Sequence, residues 1–275
     1  MQPASGTFDQ RLFLGSRPHS GSCATQRKGM GDSNVLKTRF EHLHGFWNSG
    51  LESALQEDPA FFASYLSMAE VAMGATHLEP KIRDFVLIAT NASVTHLNSE
   101  AVSHHVEAAV KHGATRGELR EVLQVASVLG IHAYMVGVPI LLEALAATGE
   151  SLDAVFPLDD AFEKVRAQFT ERRGYWSDEL QGMVRSSPAF FDGYTAFSSA
   201  PWKTGELAPV VKELLYVAID VSTTHLFEPG VRIHTRNALR YGATPAQVLQ
   251  VMQIVSCVGM QSFLLGVPRL RSAGA

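Results

Sequence analysis

One phrase occurs twice in this chain and constrains every other reading of it. THLNSEAVSHHVEAAVKHGAT, from Thr95 to Thr115, returns as THLFEPGVRIHTRNALRYGAT, from Thr224 to Thr244, 129 residues later. At the same offset Trp47 falls on Trp176, Pro59-Ala60-Phe61-Phe62 on Pro188-Ala189-Phe190-Phe191, and Gly137-Val138-Pro139 on Gly266-Val267-Pro268. The register holds from Trp47 to Pro139 without a gap. So long a period does not suit a solenoid; it suits two fused copies of one unit. The expected boundaries are a tail over 1–35, a first repeat over 36–147, a linker over 148–164 and a second repeat over 165–275.

Each copy reads as helical. Leu119, Val122, Leu123, Val125 and Ala126 recur at helical spacing, as do Val248, Val251, Met252, Ile254 and Val255. Thr115 and Thr244 stand where N-caps would, and Gly113 and Gly242 where the preceding helix would end. Pro59 and Pro188 suit first helical turns. No stretch alternates as a strand would, so the expected class is all-α, a helical bundle of two tandem repeats.

Composition narrows the partners. A net charge of −4 over 275 residues offers no basic field to nucleic acid. No uninterrupted run reaches the roughly 18 apolar residues of a membrane helix, so no membrane is expected. The two cysteines, Cys23 and Cys257, cannot build a disulfide scaffold and point to a reducing, cytoplasmic setting. The first ~35 residues, rich in Gly, Ser, Gln and Arg without periodicity, read as a disordered tail or as sequence upstream of a start at Met30.

HVEAAVKHGAT from His105 and HTRNALRYGAT from His234, each followed by an amphipathic helix ending near Gly-Val-Pro, resemble the carboxymuconolactone decarboxylase and alkylhydroperoxidase-D-like family. Each half resembles one family unit, and the likeness runs from about Phe46 to the C-terminus. The family's thiol peroxidases resemble E…CxxCxxxH, but those cysteine positions here hold Asn98 and Ala101, and Phe227 and Gly230. Disulfide-cycling chemistry lacks its thiols, and Cys257 reads as core packing. The other branch resembles cofactor-free decarboxylases of carboxylated unsaturated lactones, in which a histidine and an acid handle protons. That resemblance places the histidine at His105 and His234 and the acid at Asp84 and Glu213. It also implies a homo-oligomer, here a trimer of double units.

The remaining candidates each carry two readings. His96 and His225, both in a Thr-His-Leu turn, either hydrogen-bond a backbone carbonyl or act as second proton donors facing His105 and His234. Asp84 and Glu213 stand near helix starts, where they either complement the helix dipole or turn inward for proton transfer. Ala101 and Gly230, one turn before the central histidines, either leave room for a substrate or let helices approach closely. Glu228 and Arg232 are spaced as a surface ion pair, or Arg232 grips a substrate carboxylate. His132 is a further candidate substrate contact. His96, Glu100, His104 and His105 tempt a zinc assignment, but only Glu100 and His104 have i,i+4 spacing, and Pro229 and Ile233 replace that pair in the second copy. No metal and no cofactor are expected.

These residues fit a cofactor-independent carboxy-lyase acting on a small carboxylated, enolisable lactone or keto acid. An isomerase or tautomerase on the same substrate class, and a non-catalytic helical module that binds a small molecule, remain alternatives. A thiol peroxidase is disfavoured.

Overall fold

The computed structural model describes residues 33–173, Trp176 and residues 178–274. Of the expected tail over 1–35, residues 1–32, with Cys23, lie outside the described residues. Among the described residues every regular element is a helix, which establishes the all-α class. The first repeat comprises α1 (Ser33–His44), α2 (Ser49–Glu57), α3 (Pro59–Gly74), α4 (Pro80–Ala92), α5 (Ser99–Lys111), α6 (Arg116–Ser127) and α7 (His132–Ala147). A one-turn α8 (Leu152–Val155) intervenes. The second repeat follows as α9 (Asp160–Arg173), α10 (Asp178–Ser186), α11 (Pro188–Thr204), α12 (Pro209–Val221), α13 (Glu228–Arg240), α14 (Pro245–Ser256) and α15 (Met260–Ser272). The first turn of α9 thus falls inside the stretch assigned to the linker.

The helix ends follow from local chemistry. Thr115 and Thr244 each accept a hydrogen bond from the third backbone N–H of the next helix, and Glu118 and Gln247 bond back to close the capping boxes. Gly113 and Gly242, at φ +86° and +97°, occupy the left-handed position that ends α5 and α13. Asp58 caps α3, whose first residue is Pro59.

At the centre lie α4 and α12, which pack on each other and are covered by α5, α6, α13 and α14. Phe85, Val86, Ile88 and Ala89 of α4 and Leu215, Val217, Ala218 and Ile219 of α12 are buried on successive faces, as expected of a helix surrounded on all sides. Around this centre the repeats exchange their last helices. Val138 of α7 sits among Phe162, Phe169, Met183 and Phe191 of the second repeat. Met260, at the start of α15, sits among Leu36, Phe40, Leu51 and Phe62 of the first. Trp47 lies edge-on to Phe40 at 5.6 Å, and Trp176 edge-on to Phe169 at 6.1 Å, so both partly buried tryptophans pack against these clusters.

Two continuous helical stretches, 116–147 and 245–270, are long and apolar enough by length and composition to cross a membrane. They arise because a 3₁₀ turn joins α6 to α7 and α14 to α15 without a break. Their inward faces supply Val122, Val125, Val251 and Ile254 to the central core, and buried helices of a globular core pass the same test.

A second exchange ties the halves together. Glu121 of α6, fully buried, accepts from the Thr204 hydroxyl and the Leu207 backbone N–H at the α11–α12 connection and lies 3.2 Å from Lys212 Nζ. Lys212 also donates to the Pro201 carbonyl at 2.6 Å. At the matching place Gln250 of α14 accepts from Leu78 N–H at 2.9 Å and donates to the Ala72 and Ala75 carbonyls. Each repeat thereby latches the other's loop. Truncating Glu121 strands the Lys212 ammonium and two donors, so Glu121→Ala is expected to cost about 3–5 kcal/mol in urea unfolding. A loss below about 1 kcal/mol would show that the latch does not hold the halves.

Candidate active site

Two polar side-chain clusters, the first and second pockets, one per repeat, are built on the same frame. Each combines the α4 or α12 acid, the α5 or α13 histidine and the Thr-His-Leu turn. In that turn the N–H groups of residues 225 and 226 both donate to the Ser222 carbonyl at 2.9 Å, and Phe227 N–H donates to the Asp220 carbonyl at 2.8 Å. The first copy repeats this with Ser93, His96, Leu97, Asn98 and Asn91. Closing so tight a turn puts Leu97 at φ +50° and Leu226 at φ +47°, a conformation that costs a residue with a side chain about 1–2 kcal/mol. Both leucines are exposed, so packing does not repay this strain. It is retained in both copies where a histidine is being placed.

In the second repeat, Glu213 turns inward and is almost fully buried. His234 Nδ1–H donates to Glu213 Oε2 at 2.6 Å, and Asn237 donates to the other carboxylate oxygen at 3.3 Å. Tyr216 stacks on the imidazole with ring centroids 4.5 Å apart. With Nδ1 bound, Nε2 is the atom available for chemistry, and it lies 3.9 Å from Asp220 Oδ2.

Asp220 was not singled out from sequence. It is fully buried, and neither of its oxygens has a hydrogen-bond partner. Burial pushes its carboxyl up to about 7; the nearby His234 opposes that rise and Glu213 adds to it. His225 Nε2 and His132 Nδ1 lie 3.8 and 3.6 Å from Asp220 Oδ1, and 2.6 Å from each other. His132 comes from the first repeat: it is the first residue of α7, the helix that crosses over. Its ring stacks on Phe227 at 3.9 Å, and burial drives its pKa down to about 3, helped by the neighbouring His225 and His234. Burial also lowers His225.

The first pocket carries the same positions with different chemistry. Asp84 is buried, but its closer contact is His112 Nδ1 at 2.7 Å; His105 Nδ1 is 3.4 Å away. Asp220 becomes Asn91, and His132 becomes Gln261, which α15 brings across from the second repeat. Gln261 Oε1 accepts from His96 Nε2 at 2.7 Å and from Asn98 at 2.6 Å, while Gln261 Nε2 donates to Asn91 Oδ1 at 2.7 Å. Phe46 stacks on His104 at 4.1 Å, and burial lowers His44 to about 3, with His105 adding to the effect and Asp84 opposing it.

The sequence candidates sort clearly. Asp84 and Glu213 face their histidines. His96 and His225 bond side chains from the opposite repeat, not backbone carbonyls. Arg232 and Glu228 pair with each other on the exposed face of α13, two residues from His234 and on the other side of the helix, so neither joins the pocket. At Gly230 the space is not open: a Cβ there would overlap the Asp220 carboxylate and Phe227. The weighed zinc set does not assemble, since only His104 and Glu100 approach, at 3.8 Å. Cys257 is buried in the core and its thiol is pushed up to about 11, away from thiolate chemistry. A cleft of about 800 Å³ between the α3–α4 and α11–α12 connections, lined by His77, Lys81, Glu118 and Glu206, contains none of these residues.

A histidine–acid pair on two adjacent helices of a duplicated all-α unit defines the class. The chain belongs to the carboxymuconolactone decarboxylase family, whose profile matches residues 59–150 and again 188–273. It is similar to a crystal structure from Burkholderia xenovorans LB400, provisionally described as a gamma-carboxymuconolactone decarboxylase subunit. The two are 41% identical with a TM-score of 0.82, over 89% of this chain and 98% of that one. Among curated proteins no match is found.

Gly230→Ala is expected to cost about 1–3 kcal/mol, because its methyl would displace Asp220. Gly137→Ala, which meets nothing within 4 Å in α7, is the control and should not destabilise. Equal stability of the two variants would contradict the tight seat given to Asp220.

Proposed function

We propose that this protein is a carboxymuconolactone decarboxylase-like lyase that uses histidine–acid proton transfer on a small carboxylated, enolisable lactone or keto acid, without an organic cofactor. The observation that carries the reading is the 2.6 Å bond between His234 Nδ1 and the buried Glu213. Such a substrate provides its own electron sink, since the pair released with CO₂ delocalises into the conjugated carbonyl. The carbon–carboxylate bond breaks, CO₂ leaves, and the dienolate takes a proton at carbon from His234 Nε2–H. Glu213 holds the imidazole in one orientation and stabilises its protonated form.

The first repeat offers a weaker version of this pair. Its shorter Asp84 sits nearer His112 than His105, so we assign turnover to the second pocket. We also propose a homo-oligomer, a trimer of double units. The neighbour's description as a subunit supports assembly, as do the exposed Phe190, Phe197, Ile140 and Leu141.

The test is incubation with carboxymuconolactone and related unsaturated or keto acids in deuterated buffer, following CO₂ and carbon-bound deuterium by NMR. His234→Ala is expected to lower kcat by about 10²–10⁴-fold, and His105→Ala by less than about tenfold. Loss confined to His105→Ala would overturn the assignment. Deuterium uptake without CO₂ would make the protein an isomerase, and silence across the panel would favour a binding module.

A further inference from the structure

The second pocket contains a buried carboxylate that no described residue satisfies. Asp220 is fully buried, yet neither oxygen has a hydrogen-bond partner. Charged groups in that position are paired or hold a metal. A proton alone does not resolve the site. Protonated, Asp220 would carry a hydroxyl whose nearest imidazole nitrogens, at 3.6 to 3.9 Å, lie beyond hydrogen-bond reach.

The first pocket shows what the same frame looks like when it is complete. There Asn91, His96 and Gln261 satisfy one another through bonds of 2.7 Å, with Asn98 adding a fourth member. The second pocket replaces both amides with groups that ligate metals, Asp220 for Asn91 and His132 for Gln261, and keeps the histidine as His225. Two imidazoles and a carboxylate are a recurrent set for divalent transition metals.

The three donor atoms are gathered closely enough to share one ion. His132 Nδ1, His225 Nε2 and Asp220 Oδ1 form a triangle with sides of 2.6, 3.6 and 3.8 Å. A point equidistant from the three lies in their plane about 2.0 Å from each; in a tetrahedral zinc site the two imidazole nitrogens, hydrogen-bonded here at 2.6 Å, would move apart to about 3.3 Å. The donors come from three separate places: the start of α7, the Thr-His-Leu turn and the end of α12. Phe227 stacked on His132 and the methyl-free face of Gly230 against Asp220 hold two of the three ligands in place.

We propose that His132, Asp220 and His225 bind one divalent transition-metal ion of the zinc type, in the second pocket only. Three protein ligands leave a coordination position for a small molecule, which is the count of catalytic rather than structural zinc sites. Asp220 Oδ2 links the site to His234 Nε2 at 3.9 Å. This departs from the expectation of a metal-free protein. It does not depend on the proposed reaction, because binding is read without turnover.

The test uses the full chain, stripped with a chelator, dialysed and titrated with Zn²⁺ by calorimetry and with Co²⁺ by ligand-field absorption. The partner sample carries Asp220→Asn with His132→Gln, which copies the amide set of the first pocket and so is expected to fold. The wild type should take up one equivalent of either ion and show an imidazole-bound Co²⁺ spectrum. The double variant should lose more than the about 10–100-fold in affinity that a supporting residue contributes. Its thermal midpoint should no longer respond to Zn²⁺. Wild type that binds no tighter than the folded double variant would overturn the site, whatever the outcome with the decarboxylase panel.

Discussion

The exchange of α7 and α15 between the repeats is the constraint on which the rest of the structure depends. A single repeat ends in a helix whose apolar face has no partner within its own copy. Among the described residues that face is covered by α9–α11 or α1–α3 of the other copy. The same crossing carries residue 132 or 261, at the head of each helix, into the opposite pocket. Folding and assembly of the site are therefore one event, and neither pocket is complete in an isolated half. The Glu121 and Gln250 latches repeat the logic on the other side of the central helices.

Duplication gave the chain two pockets that no longer had to be equal. The first holds neutral amides that satisfy each other, and its acid is divided between His105 and His112. The second holds charged groups: Glu213 on His234, and Asp220 facing three imidazoles. Polar networks inside a protein stabilise only when every member is paired, so the first pocket is suited to holding the fold. The unsatisfied second pocket is suited to binding something. That difference rests on three positions: Asn91 against Asp220, Gln261 against His132 and Asn98 against Phe227.

Much of the frame was legible in the sequence. The capping threonines, the helix-ending glycines and the register at 129 residues all follow from local patterns, and the acids at 84 and 213 came from the family resemblance. Four features were not legible, each for a physical reason. Crossing helices leave no trace in a self-comparison, because copies aligned in sequence do not show which copy packs on which. Asp220 stood in an apolar helix with no motif around it, although its mismatch with Asn91 was a usable signal. Gly230 kept two readings, open space or close approach, because a missing side chain looks the same in sequence whether its volume is empty or taken; the structure shows it taken. Arg232 had the right chemistry for a carboxylate, but helical phase turned it to solvent.

Side-chain ¹⁵N spectra of the histidines test the crossing most directly. Asp220→Asn changes one atom type at the end of α12, in the second repeat. The account predicts shifts at His225 and His234, and equally at His132, 88 residues away in the first repeat, with His96 and His105 unmoved. An unchanged His132 imidazole would mean that α7 does not enter the second pocket, and the two-copy site described here would fall.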